Sequence, residues 1–142
     1  MVRPLAALSL FAVLALPAAA DELTIDVGGI RDAKGKVMVA LHAPKDGVAF
    51  PDFPGAVAAQ WRLAEPGTLR FSFPGLKPGR YAVAVYHDEN GNNELDRNPL
   101  GMPTEGYGFS RDAKGFAGPP TFDDAAIELA DKSISTSATL GY

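Results

Sequence analysis

Between Tyr86 and Gly101 the chain reads YHDENGNNELDRNPLG, which puts Asp88, Asn90, Asn92, Glu94 and Asp96 at every second position. Carboxylate and amide oxygens at this spacing suit a hard cation, since calcium takes about six to eight oxygens from carboxylates, amides, carbonyls and water. Asp88, Asn90, Asn92 and Asp96 are the candidate cage, and Gly91 permits the bend that would turn them inward. Glu105 and Asp112, further along, could complete it. An EF-hand is excluded, because with Asp88 first its glycine position holds Asn93 and its bidentate glutamate position holds Pro99. The same residues also suit an Asx-rich turn, in which Asp and Asn side chains bond nearby backbone N–H groups.

Other chemistry near this stretch has weaker support. His87 precedes Asp88 and could act with a loop carboxylate as an acid/base pair. A zinc site needs three or four protein ligands, yet the chain has no cysteine and its only other histidine is His42. His87 shares strand phase with Val85 and His42 with Met38, so the two imidazoles belong to opposite faces. Ser110, in GYGFSRD, lacks the nucleophile-elbow pattern, and this Gly-rich run carries no P-loop lysine. A carboxylate pair for glycosidic cleavage could be drawn from Asp88 to Glu105, as from any acidic loop. Tyr107, Phe109, Phe116 and Phe122 either fold the loop back as a satellite cluster or form an exposed docking platform.

The elements that must position these residues read as strands. ELTIDVGGI alternates Leu23, Ile25 and Val27 against Thr24 and Asp26, and RDAKG turns at Gly35. KVMVALHAP follows, then a Pro/Gly-rich loop. Residues 57–64 are compatible with strand or helix because of their alanines. TLRFSF alternates again, and GLKPGRY sets a Pro78-Gly79 turn before YAVAVYH, a strand apolar on both faces and so central in its sheet. Tyr81, opening that strand, fits a tyrosine corner. An irregular excursion spans roughly Asp88 to Pro120, and DDAAIELA and SISTSATLGY read as closing strands. About seven strands with turns rich in Gly and Pro predict an all-β sandwich with one long loop.

The N-terminal 20 residues combine Arg3, an apolar run from Leu5 to Leu16 and Ala18-Ala19-Ala20, the pattern of a secretory signal peptide. Residues 21–142 are then a single exported domain, periplasmic or secreted, with no membrane span after cleavage. No cysteine follows the apolar run, which excludes a diacylated lipoprotein, and the domain must fold without disulfides. The net charge is −4, or −5 once Arg3 is removed, and it is spread without runs of one sign. Such a chain has no electrostatic reason to bind nucleic acid, and a monomer is expected.

FSFPGLKPGRYAVAVYHDENGNNELDRNPLGMPTEGYGFSRDAKG, with GPPTFDDAAIEL and the closing LGY, resembles a bacterial family catalogued as domain of unknown function 2141. The resemblance runs from LTIDVGGIRDAKGKVMVAL to Tyr142, and its most specific part pairs HDENGN with EGYGFS. It implies a small exported protein of immunoglobulin- or transthyretin-like sandwich type, and it supplies no catalytic residue. Asn93 departs from the family pattern, which has glycine there. The run FSFPGLKPGRYAVAV is more distantly similar to adhesin and carboxypeptidase-associated sandwich modules. The likeness to calcium-binding adhesin loops implies a cation near Asp88. The expectation is therefore a non-enzymatic binding or structural module of the cell envelope, with calcium at its loop and an envelope protein or glycan as partner. The alternatives are an enzyme using His87, and a docking module using Tyr107 and Phe109.

Overall fold

The computed structural model describes residues 21–45 and 49–142. The signal-peptide reading of residues 1–20 falls outside the described residues. The domain is a two-sheet β-sandwich of eight strands, with β1 Leu23–Ile30, β2 Lys36–His42, β3 Ala58–Leu63 and β4 Gly67–Phe73 in its first half. The second half holds β5 Gly79–Asp88, β6 Tyr107–Phe109, β7 Ile127–Leu129 and β8 Ile134–Thr139. One sheet runs β4-β1-β8 and the other β3-β2-β5-β6, with β7 pairing the start of β5. No helix among the described residues is long and apolar enough to cross a membrane.

Period-two patterning builds the core. Leu23, Ile25 and Val27 of β1, with Leu69, Phe71 and Phe73 of β4, meet Val37, Val39 and Leu41 of β2 and Tyr81, Val83 and Val85 of β5. Tyr81 makes the expected corner, its hydroxyl donating to the Lys77 carbonyl at 2.8 Å. In the turn before it, the positive φ falls on Gly75 and not on Gly79. Residues 57–64 resolve as an edge strand. Its inner side chains Gln60 and Arg62 reach across to the Ser72 and Arg70 carbonyls of β4 and tie the two sheets along that side.

DDAAIELA is only partly a strand. Thr121 caps a single helical turn, α1 Phe122–Ala125, through a reciprocal bond with Asp124, and pairing starts at Ile127. A capping box outweighs the β tendency of so short an apolar run. The face of the β2–β5 sheet turned away from the core then divides in two. One half is covered by Phe109 and Ala125, with Phe50 and Phe122 packed against them. The other half leads to the Asp88 loop.

Candidate functional site

The loop is organised by carboxylates turned toward its own backbone. Asp88 is fully buried at the end of β5. Its Oδ1 accepts the N–H groups of Gly91 at 2.9 Å and Asn92 at 3.1 Å, and its Oδ2 accepts that of Asn93 at 2.9 Å. Three successive amides converging on one carboxylate form an anion nest whose occupant is part of the chain. The nest requires left-handed backbone at Gly91 (φ 77°) and Asn93 (φ 65°). Asparagine is among the few side chains that tolerate this region. Lys36 Nζ lies 3.9 Å from Asp88 and donates to Asn93 Oδ1.

The remaining predicted ligands follow the Asx pattern on the exposed side. Asn90 Oδ1 accepts the Asn92 N–H at 3.1 Å, and Asn92 Oδ1 accepts the Glu94 N–H at 3.0 Å. Both side-chain amides donate to the Asp96 carboxylate. The structure thus joins the side chains of Asn90, Asn92 and Asp96, while the Asp88 carboxylate is taken up by backbone N–H groups. Glu105 is buried and closes the loop's ends, its two oxygens accepting the Glu89 N–H at 2.9 Å and the Asp96 N–H at 3.1 Å. Asp112 lies elsewhere, accepting the Thr139 N–H. Burial pushes its carboxyl pKa up, but the Thr139 and Ser137 hydrogen bonds outweigh this and hold it below the usual range.

His87 is 0 % exposed, and both ring nitrogens are engaged. A carbonyl only accepts, so Nε2 carries the proton donated to the Lys34 carbonyl at 2.6 Å, and Nδ1 accepts the Tyr142 hydroxyl at 2.8 Å. Ligand atoms of Asp32, His87 and Glu89 lie within 4.8 Å of one another. Glu89, however, is held bidentate by Arg31 at 2.8 and 2.7 Å, and the imidazole has no free lone pair. The reading of His87 as an acid/base group is corrected here: strand phase carries it inward beside Val37, where it ties the C-terminus to the β1–β2 turn. Ser110 is likewise buried, donating to the Ala125 carbonyl at 2.6 Å and accepting the Val83 N–H at 2.9 Å. His42 is on the opposite face, edge-on to Phe50 at 5.1 Å, and its Nε2 has no partner among the described residues. Burial, partly opposed by Asp52, lowers its pKa.

The two aromatic candidates share the outer face, their rings edge-on and 6.0 Å apart. They differ in cover: Phe109 is buried 5.8 Å from Phe50, whereas Tyr107 stays 37 % exposed, and Phe116 stands free in solvent. Cross-strand register aligns Trp61 of β3, Met38 of β2, Tyr86 of β5 and Tyr107 of β6 in one row on the outer face. Trp61 is 58 % exposed, and Phe53, 39 % exposed, meets Tyr86 edge-on at 6.0 Å. This row borders the loop: Tyr86 donates to the Asn93 carbonyl at 2.9 Å, and Lys36 lies 5.3 Å from the Trp61 ring centroid. Sequence reasoning missed Trp61 and Phe53 because the row exists only once four strands are in register. The available signal was a lone tryptophan in a segment without a clean apolar alternation.

A family profile described as an uncharacterized protein conserved in bacteria, domain of unknown function 2141, matches residues 25–137. No curated protein and no solved structure matches the chain.

Proposed function

The chain belongs to that bacterial family, and from this premise we propose an exported, non-enzymatic binding module of the cell envelope. Its docking surface is the outer aromatic row, and the Asp88 loop is its rigid rim. One observation carries the reading: the polar groups suited to chemistry, His87, Asp88, Glu105 and Ser110, are buried and hydrogen-bonded internally, while Trp61, Phe53 and Tyr107 remain open. Aromatic rings edged by amides, a lysine and carboxylates suit an envelope glycan, whose C–H faces stack on rings while its hydroxyls bond the rim. Binding of purified protein to an array of bacterial surface oligosaccharides, followed by quenching of Trp61 emission, tests this. Phe53→Ala and Trp61→Ala should abolish array binding without lowering the melting temperature. Array binding undiminished by both substitutions would refute it.

A second reading is calcium at the loop, favoured by the convergence of Asn90 and Asn92 on Asp96. Half-turns of the two amides would present three side chains' oxygens to one cation, with Asp88 holding the backbone behind them. Millimolar calcium should raise the melting temperature over that in chelator, and Asp96→Ala should abolish the increment. Equal melts with and without calcium would remove this reading.

A further inference from the structure

The two sheets present β4 and β8 as edges in one and β3, β6 and the three-residue β7 in the other. Of these, β4, β8 and β6 are closed. The β4 carbonyls of Ser72 and Arg70 accept Gln60 and Arg62 from the facing sheet. Along β8, the Thr139 N–H is taken by Asp112. On β6, Tyr107 exchanges backbone bonds with Gly141 at 3.0 and 2.9 Å.

Edge β3 is different. Ala64 N–H bonds the Gly35 carbonyl, and alternation along the antiparallel ladder then directs Ala58, Gln60 and Arg62 toward β2. The N–H and C=O groups of Ala59, Trp61 and Leu63 face outward, and among the described residues nothing pairs with them. No proline interrupts AAQWRL, and Leu63 is 70 % exposed beside Trp61. A bare edge carrying large apolar side chains is a template for another strand.

We infer that this edge pairs with β3 of a second copy, antiparallel about a two-fold axis at Trp61. The three outward residues are symmetric about that position, so one register satisfies all of them with about six backbone hydrogen bonds. Trp61 then faces Trp61 of the second copy, and each Leu63 lies opposite the other copy's small Ala59. On the inner side each Arg62 faces a Gln60. A register centred on Arg62 would instead oppose two guanidinium groups, which disfavours it. The outer aromatic rows of the two copies join into one continuous face. This association replaces the monomer expected from composition, and it needs no ligand, so it stands or falls separately from glycan docking.

Sedimentation equilibrium on protein purified from cells expressing the whole 142-residue chain, from micromolar to millimolar, tests it. A monomer–dimer equilibrium is expected, with emission of the single tryptophan following the same isotherm. Ala59→Pro removes an outward N–H and no bond to β2, and it should weaken association at least about tenfold, since two intermolecular bonds are lost per dimer. Trp61→Lys, which opposes two ammonium groups at the axis, should leave the protein monomeric even if the proline variant folds poorly. A single monomeric species throughout, or a dimer that survives the substitutions, would overturn the inference.

Discussion

Replacing Asp88 by alanine discriminates between a carboxylate that anchors backbone and one that holds a cation. In the structure the side chain receives three N–H groups, from Gly91, Asn92 and Asn93. A typical intramolecular hydrogen bond contributes about 1 kcal/mol net, so the gross loss is about 3 kcal/mol. Three corrections follow, two that reduce the loss and one that adds to it. The three amides belong to exposed residues that water can reach after substitution, which trims the penalty. Asn93 would be freed from its φ of 65°, recovering about 1 kcal/mol. Against these, the cavity left by a fully buried side chain adds cost. The balance is about 2–3 kcal/mol, which for a domain of about 120 residues lowers the melting temperature by about 10 °C.

The assay is thermal unfolding followed by circular dichroism, run in chelator and again in millimolar calcium. An internal anchor predicts the same destabilisation in both buffers. Asp88→Asn should fall between alanine and wild type, because it keeps one acceptor oxygen and turns an amide group against one backbone N–H. A wild-type melt in chelator that already matches the alanine variant, with a gap opening only in calcium, would refute the nest and make Asp88 a metal ligand. No change in either buffer would refute both.

Three further perturbations probe the same framework. Gly35→Ala should destabilise by more than about 3 kcal/mol, measured by urea unfolding, because a Cβ there would overlap the Asp88 carbonyl oxygen and Gly35 has φ +60°. Burial and the nearby Asp88, Glu105 and Glu94 push the Tyr86 hydroxyl from 10.0 up to about 12, so stability intact below pH 10 should decline as pH rises toward 12, and Tyr86→Phe should flatten that limb. His42 is held below its ordinary 6.5 by burial, so the stability it contributes is present above pH 6.5 and is lost as pH falls below it. His42→Phe should reduce that acid-side slope in pH-dependent unfolding.

Much of the frame was legible because strands β1 and β4 alternate cleanly, while apolarity on both faces marks β2 and β5 as central. Tyr81 was readable as a corner because a Pro-Gly turn precedes it. Strand β3 was not, since its inward positions are Ala58, Gln60 and Arg62 and its outward ones include Trp61 and Leu63. An edge strand whose inner side chains reach for carbonyls inverts the apolar alternation that sequence reading relies on. In the loop, the Asx character of Asn90 and Asn92 was readable from spacing. The division of labour between Asp88 and Asp96 was not, because it depends on which carboxylate strand β5 carries into the protein. Glu105 joins Glu89 and Asp96 across a sequence gap that leaves no local pattern. His87 looked available for chemistry only while Tyr142, at the far end of the chain, was not known to reach it.

The loop and the aromatic row are mechanically one unit, and this follows from two side chains. Tyr86 sits in the row and donates to the Asn93 carbonyl, while Lys36 lies near the Trp61 ring and donates to the Asn93 side chain. Asn93 is itself fixed by Asp88 Oδ2. A carboxylate with no exposed surface therefore sets the position of both polar contacts that flank the platform. Disorder introduced at Asp88 would reach Trp61 through Lys36 within two contacts, although the two residues share none. A docking surface built on a sheet gains its flatness from strand register. The polar border of the proposed docking surface is a loop that strand β5 braces from behind, and this gives the acidic turn a reason to be so completely hydrogen-bonded.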